Sequence, residues 1–253
     1  MEKRTNKKAQ IALFVIIAVV IVASTTAVLL LPKLTMKPET RQQVSGITAY
    51  ASKAVDEASK TSLLIVGSQG GYVYAPERLF FNDVVTGLAD VPYWLYHTDT
   101  IIPNMTTIES QISIGVQELL PYYVNWSLFD VNITPKNIEA KTEIEENKTI
   151  IRVRWPLEIT AKDGSHYIAD EEYQTVLPVR LGNIYEIARN ATLEQTADTE
   201  NICLSCLSDL GNENEMHFEI NWHDNDTMIY TITDYLSIID NSTYEFTFGA
   251  KIR

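Results

Sequence analysis

Two reactive side chains are scarce in this chain, with only 2 cysteines and 4 histidines in 253 residues. The histidines, His97, His166, His217 and His223, are scattered, and no His-Glu-x-x-His helix, Gly-x-Ser-x-Gly elbow or dinucleotide fingerprint occurs. No catalytic, metal-binding or cofactor-binding residue is therefore assigned, and the expectation is a protein that is not an enzyme. Glycine forms one cluster, Gly67-Ser68-Gln69-Gly70-Gly71. A phosphate loop would need a strand before it and Lys-Ser/Thr after it, so the cluster reads as a helix stop. Positive charge is also in deficit, with 20 Lys and Arg against 33 Asp and Glu. Lys3, Arg4, Lys7 and Lys8 hold four of those cations, leaving 16 basic and 32 acidic residues downstream. A surface of that sign repels phosphate, which excludes nucleic acid as a partner.

Charge, glycine and proline are all missing from residues 11–31. At 1.5 Å per residue a helix of this length covers roughly 30 Å, the hydrocarbon thickness of a bilayer. The run is longer than the h-region of a cleaved signal peptide, about 7–15 residues, and too uniformly apolar for a core helix. It is read as a single-pass transmembrane helix, a signal anchor, ended by Pro32. The four cations before it outweigh Lys33, Lys37 and Arg41 after it. The expected layout is a cell-membrane protein with residues 1–10 as a basic cytoplasmic tip and the bulk of the chain extracytoplasmic. Seven Asn-x-Ser/Thr sequons point the same way: Asn104, Asn125, Asn132, Asn147, Asn190, Asn225 and Asn241, all beyond the apolar run. Chance would supply roughly two, so these are candidate N-glycosylation sites.

Residues 32–41, with two prolines, read as a linker, and residues 42–253 as an α+β domain of antiparallel sheet packed with a few helices. Within it, 42–124 reads as mainly helical and 125–253 as mainly strands. Val44, Ile47, Ala51, Ala54, Val55 and Ala58 recur at helical spacing over 42–66, and Tyr72-Val73-Tyr74 reads as a short strand. The aromatic stretch 75–103 has no clean period, and Tyr93, Trp94 and Tyr96 are its candidate binding patch. Thr106-x-x-Glu109 looks like a capping box opening a second helix. From Ile138 the period becomes two, predicting a hairpin closed about Asn147-Lys148 with Ile144 opposite Ile151 and Glu143 opposite Arg152. Residues 181–196 read as a third helix, and Met216 to Trp222, Met228 to Ile232 and Tyr244 to Ala250 as alternating strands.

Cys203-Leu204-Ser205-Cys206, followed by His217 and His223, approaches a zinc-finger spacing. On one strand those histidines would stand about 20 Å apart, too far for one ion. A local Cys203–Cys206 disulfide is the preferred reading, favoured by an oxidising exterior. The acidic clusters, Glu143-Glu145-Glu146 and Asp170-Glu171-Glu172, lack a calcium-loop pattern and read as solvated strand faces. Glu171 is singled out because it shares its strand's apolar face with Tyr173.

Lys7-Lys8-Ala9-Gln10 before the apolar run resembles the class III signal of archaeal pilin-like proteins, which are cut ahead of Gln and assemble through the helix that follows. Phe14 stands where those proteins carry Glu. Together with Gly67-Ser68-Gln69-Gly70-Gly71-Tyr72-Val73-Tyr74 and Tyr244-Glu245-Phe246-Thr247-Phe248, the whole chain resembles uncharacterised archaeal single-pass membrane proteins. The expected role is a membrane-anchored cell-surface protein that binds a surface protein or glycan or builds the envelope. A pilin-like filament subunit is the alternative, and an extracytoplasmic enzyme the second.

Overall fold

The computed structural model describes residues 38–77, 79–83, 88–197 and 202–252. The apolar run 11–31 lies outside them, as do the basic tip and most of the linker. Among the described residues no helix is long and apolar enough to cross a membrane. The chain divides into two units, Met1–Ile47 and Thr48–Arg253, and the second carries the fold.

In chain order the elements are α1 (Pro38–Ser68), β1 (Phe80–Asp83), β2 (Leu88–Tyr96), β3 (Asp99–Thr100) and α2 (Met105–Leu119). Six short strands follow: β4 (Asn132–Pro135), β5 (Glu139–Ile144), β6 (Thr149–Arg154), β7 (Leu157–Thr160), β8 (His166–Ala169) and β9 (Glu172–Leu177). Then come α3 (Leu181–Ala197), α4 (Leu204–Asn214), β10 (Met216–Trp222), β11 (Thr227–Ile239) and β12 (Ser242–Lys251). The architecture is α+β, and among the described residues strands pair antiparallel except for β2 with β12.

α1 begins four residues earlier than its apolar rhythm suggests, because proline's fixed φ and missing N–H suit a first helical turn. Within the second unit its buried face mixes small side chains, Ala51, Ala54, Ala58, Ser59 and Ser62, with the larger Val55, Leu63 and Val66. It stops where Gly70 and Gly71 take φ of 50° and 100° and the Gly71 N–H donates to Val66 O at 2.8 Å. Tyr72-Val73-Tyr74 is a bend and not the expected strand. The Val73 and Tyr74 N–H groups donate to Gln111 Oε1, at 2.9 and 3.1 Å, where a strand would have given them to a neighbour.

The larger sheet runs β1-β2-β12-β11-β10, with β3 also on β2. One of its faces is a layer of rings: Phe248 stacks on Trp94 at 4.7 Å and on Tyr230 at 5.2 Å. α3 reaches this layer through Tyr185, edge-on to Trp94 at 5.9 Å, and through Gln195, which accepts from the Tyr230 hydroxyl at 3.1 Å. α1 reaches it where Tyr244 donates to Leu63 O at 3.0 Å. At Gly67 an added methyl would lie 2.5 Å from Glu245 O, so glycine is needed for the helix to come this close. The expected helical character of 42–124 is interrupted here, since the aromatic stretch supplies β1, β2 and β3 to the sheet.

The smaller sheets, β5-β6-β9 and β4-β7-β8, are two halves of one meander. Partner numbers along β6/β9 and β7/β8 keep a constant register, so Trp155-Pro156 and Asp170-Glu171 mark only a break in it. Between β4/β7 and β5/β6 residues 136–138 face only 155–156, a bulge that bends the sheet. The hairpin pairs Ile144 with Thr149 and Thr142 with Ile151, and the Glu145 N–H donates to Lys148 O at 2.9 Å. The turn thus closes one residue earlier than expected. Partners move by two and every side chain keeps its face. Glu143 opposes Ile150 and still reaches Arg152 diagonally at 2.9 Å.

α2 lies between α1 and this meander. Ser62 Oγ donates to Ile112 O at 2.8 Å on one side, and Ser113 and Thr142 share a hydrogen bond of 2.9 Å on the other. Its N-cap is Asn104, two residues before the expected Thr106, with the side chain accepting from the Thr107 N–H at 2.8 Å. Glu109 caps nothing: it accepts from the Ile144 N–H at 3.0 Å and ties the helix to β5.

Candidate functional site

The aromatic patch expected at Tyr93, Trp94 and Tyr96 is interior. Trp94 is fully buried, Tyr93 nearly so and Tyr96 half-buried. On β2 every side chain from Val91 to Leu95 is buried, whichever face of the strand it occupies. Trp94 joins the ring layer and donates from Nε1 to Gly70 O at 2.9 Å, while Tyr93 packs on Phe81 at 5.0 Å and on Tyr96 at 5.4 Å. The sequence signal was real, but it was a core signal.

Exposed aromatics gather elsewhere. Tyr122 is 87% exposed and Tyr74 59%, and both line a groove of about 590 Å³ with Ile65, Gln117, Glu118 and Pro121. Its walls are the end of α1, the bend 72–74 and the last turn of α2. Pro121 has no N–H to continue the α-helix, and the chain tightens into the 3-10 turn Leu120–Tyr123 that swings Tyr122 outward. Gly115 lets the helices close up, since a methyl there would collide with Ser62 Oγ. Glu118 accepts the Tyr74 hydroxyl, and this bond with the carboxylate's charge holds the Tyr74 phenol above its ordinary range. The groove thus presents two ring faces, a carboxylate and an amide side by side.

Cys203 and Cys206 are disulfide-bonded at the start of α4, where Cys203 Sγ accepts from the Cys206 N–H at 3.2 Å. With the sulfurs joined to each other, neither is a thiolate ligand. Of the two histidines that follow them in the chain, His217 is exposed on β10 and the His223 ring packs on Phe81 at 4.7 Å. Glu171 is exposed rather than on the apolar face, because it lies in the break between β8 and β9 and not on the strand itself. Its neighbour Asp170 forks onto Arg154 at 3.0 and 2.7 Å, and that guanidinium holds the carboxyl below its usual range. The asparagines of all seven sequons are exposed.

One constellation was missed. Asp234 is fully buried and Arg180 partly so, and Asp234 accepts from Arg180 Nε at 3.0 Å and Nη2 at 2.5 Å, from the Leu236 N–H at 3.1 Å and from the Ser237 hydroxyl. The knot fixes the β11 bulge that turns Tyr235 and Leu236 to solvent. A signal existed, since Asp234 continues the inward positions Met228, Tyr230 and Ile232. Comparison with known protein families, with characterised proteins and with solved structures finds no match, so the reading of this chain rests on its own residues.

Proposed function

We propose that this chain is a membrane-anchored cell-surface protein, with residues 11–31 in the bilayer, the amino end in the cytoplasm and the α+β domain outside, where it bears glycans and binds an envelope partner. The observation that carries the reading is the exposure of all seven sequon asparagines on the domain. The Cys203–Cys206 disulfide is in keeping with an oxidising exterior. The acidic surface argues against nucleic acid and for soluble display.

The binding surface is the Tyr74–Tyr122 groove, which takes the place of the interior aromatics. Ring faces stack on the apolar faces of a sugar while Glu118 and Gln117 take its hydroxyls, so a surface glycan suits it best. Protease added to intact cells should digest the acidic domain. Protection in intact cells with digestion after lysis would reverse the topology. Tyr74→Ala with Tyr122→Ala should reduce retention on envelope glycans at least tenfold by affinity chromatography while thermal unfolding stays within a few degrees of the parent.

The second reading, a pilin-like filament subunit, is favoured by the early start of α1, which leaves only residues 32–37 between the apolar run and a 31-residue helix. Mature chain beginning at Gln10 and sedimenting as fibres would select it.

A further inference from the structure

Each sequon has two working parts, the asparagine amide and the hydroxyl two residues on, and the domain treats them differently. All seven asparagines are exposed, but the hydroxyl residues divide. Thr106, Ser127, Thr134 and Thr243 are exposed, whereas Thr149 and Thr227 are fully buried and Thr192 is 3% exposed.

The buried three are held by structure that must open before they can be reached. Thr149 starts β6, paired to Ile144 on one side and Leu177 on the other, and its Oγ1 donates to Val179 O at 3.4 Å. Thr192 Oγ1 donates to Ala188 O at 2.8 Å, and Asn190 lies inside α3, where bending the backbone would break helical hydrogen bonds. Thr227 starts β11 opposite Lys251, with its N–H held by Asp224 Oδ1 at 2.6 Å.

The exposed four lie where a chain is easily gripped. Asn104 caps α2 and Asn132 is on β4, an edge strand with Thr134 two residues along. Asn241, at φ 68°, is in the two-residue turn between β11 and β12. At Asn125 amide and hydroxyl already meet, since Asn125 Oδ1 accepts from Ser127 Oγ at 2.7 Å and from its N–H at 3.2 Å.

We propose that the folded domain accepts N-glycans at Asn104, Asn125, Asn132 and Asn241 and refuses them at Asn147, Asn190 and Asn225; this rests on the glycan-bearing reading and goes further by dividing the sites. The donor is a lipid-linked oligosaccharide phosphate. The asparagine Nδ2 bonds to the anomeric carbon, the carbon–oxygen bond to the lipid phosphate breaks with its electron pair leaving on that phosphate, and one amide proton passes to a transferase base. The transferase must hold amide and hydroxyl in one pocket, which a buried threonine forbids. The domain thereby keeps glycans off the β5–β6 turn, the exposed face of α3 and the β10–β11 turn.

The test offers a purified oligosaccharyltransferase and its lipid-linked donor two acceptors, the folded full-length chain in detergent and seven synthetic peptides each spanning one sequon. Peptide mapping by mass spectrometry should find glycan on all seven peptides and, on the folded chain, only at Asn104, Asn125, Asn132 and Asn241. Modification of the folded chain at Asn147, Asn190 or Asn225 would overturn the proposal, as would a folded chain bare at the other four. Refusal of the three corresponding peptides would overturn it as well, since local sequence and not burial would then discriminate. Because donor and enzyme are supplied, a domain that never leaves the cytoplasm would show the same division. Location is decided separately by the protease experiment.

Discussion

Asp234 holds a full charge in the interior of the sheet, and the balance of forces on it is legible. Burial alone would push its carboxyl up. The Arg180 guanidinium, the Ser237 hydroxyl and the Leu236 N–H together outweigh that and hold it below the usual carboxylate range. Such a group stabilises the fold fully above the unfolded carboxyl pKa of about 4, and the contribution is lost as pH falls through the lower folded value. Asp234→Asn leaves the Arg180 charge poorly compensated and should cost about 3–5 kcal/mol in urea unfolding at pH 7. The gap between parent and variant should shrink below about pH 4; a gap that widens there would contradict the assignment. The position itself was readable as an inward step of a strand. Its partner was not, because Arg180 lies 54 residues away and nothing local links the two.

At the scale of elements, α1 comes closest to the sheet at Gly67. The methyl of Gly67→Ala would lie 2.5 Å from Glu245 O and 2.7 Å from Tyr244 Oη, so the helix must shift. A loss of about 1–3 kcal/mol is expected in thermal or urea unfolding, against the roughly 0.5–1 kcal/mol gained when an exposed helical glycine becomes alanine. A neutral or stabilising result would mean that helix and sheet are not packed this way. The rhythm of α1, the third helix and the final strands was legible, because periods of 3.6 and 2 are carried by neighbouring residues. β1, β2 and α4 were not. β1 is only four residues long, β2 is buried without a break from Val91 to Leu95 and so lacks alternation, and α4 is short, its Cys203-x-x-Cys206 start drawing attention to metal chemistry rather than to a helix N-terminus.

The whole molecule carries a net charge of −13, and among the described residues nearly every ion pair has at least one exposed partner. Self-repulsion then opposes compaction, and exposed pairs return little of it. Raising sodium chloride from about 0.01 to 1 M shortens the screening length from roughly 30 to 3 Å and should raise the thermal midpoint. A midpoint that falls steadily with salt would show that attractive surface pairs dominate instead. What the sequence alone determined is whatever neighbouring residues encode: the apolar run, the α+β composition, the face of each hairpin strand and the places of the sequons. Only the tertiary structure decided which surfaces are left over. It moved the hairpin partners by two, turned Tyr93 and Trp94 into core, built the Tyr74–Tyr122 groove and buried three of the seven sequon hydroxyls. The physical reason is that periodicity records which side of an element avoids water, whereas the neighbour that covers it is chosen by contacts far apart in the chain.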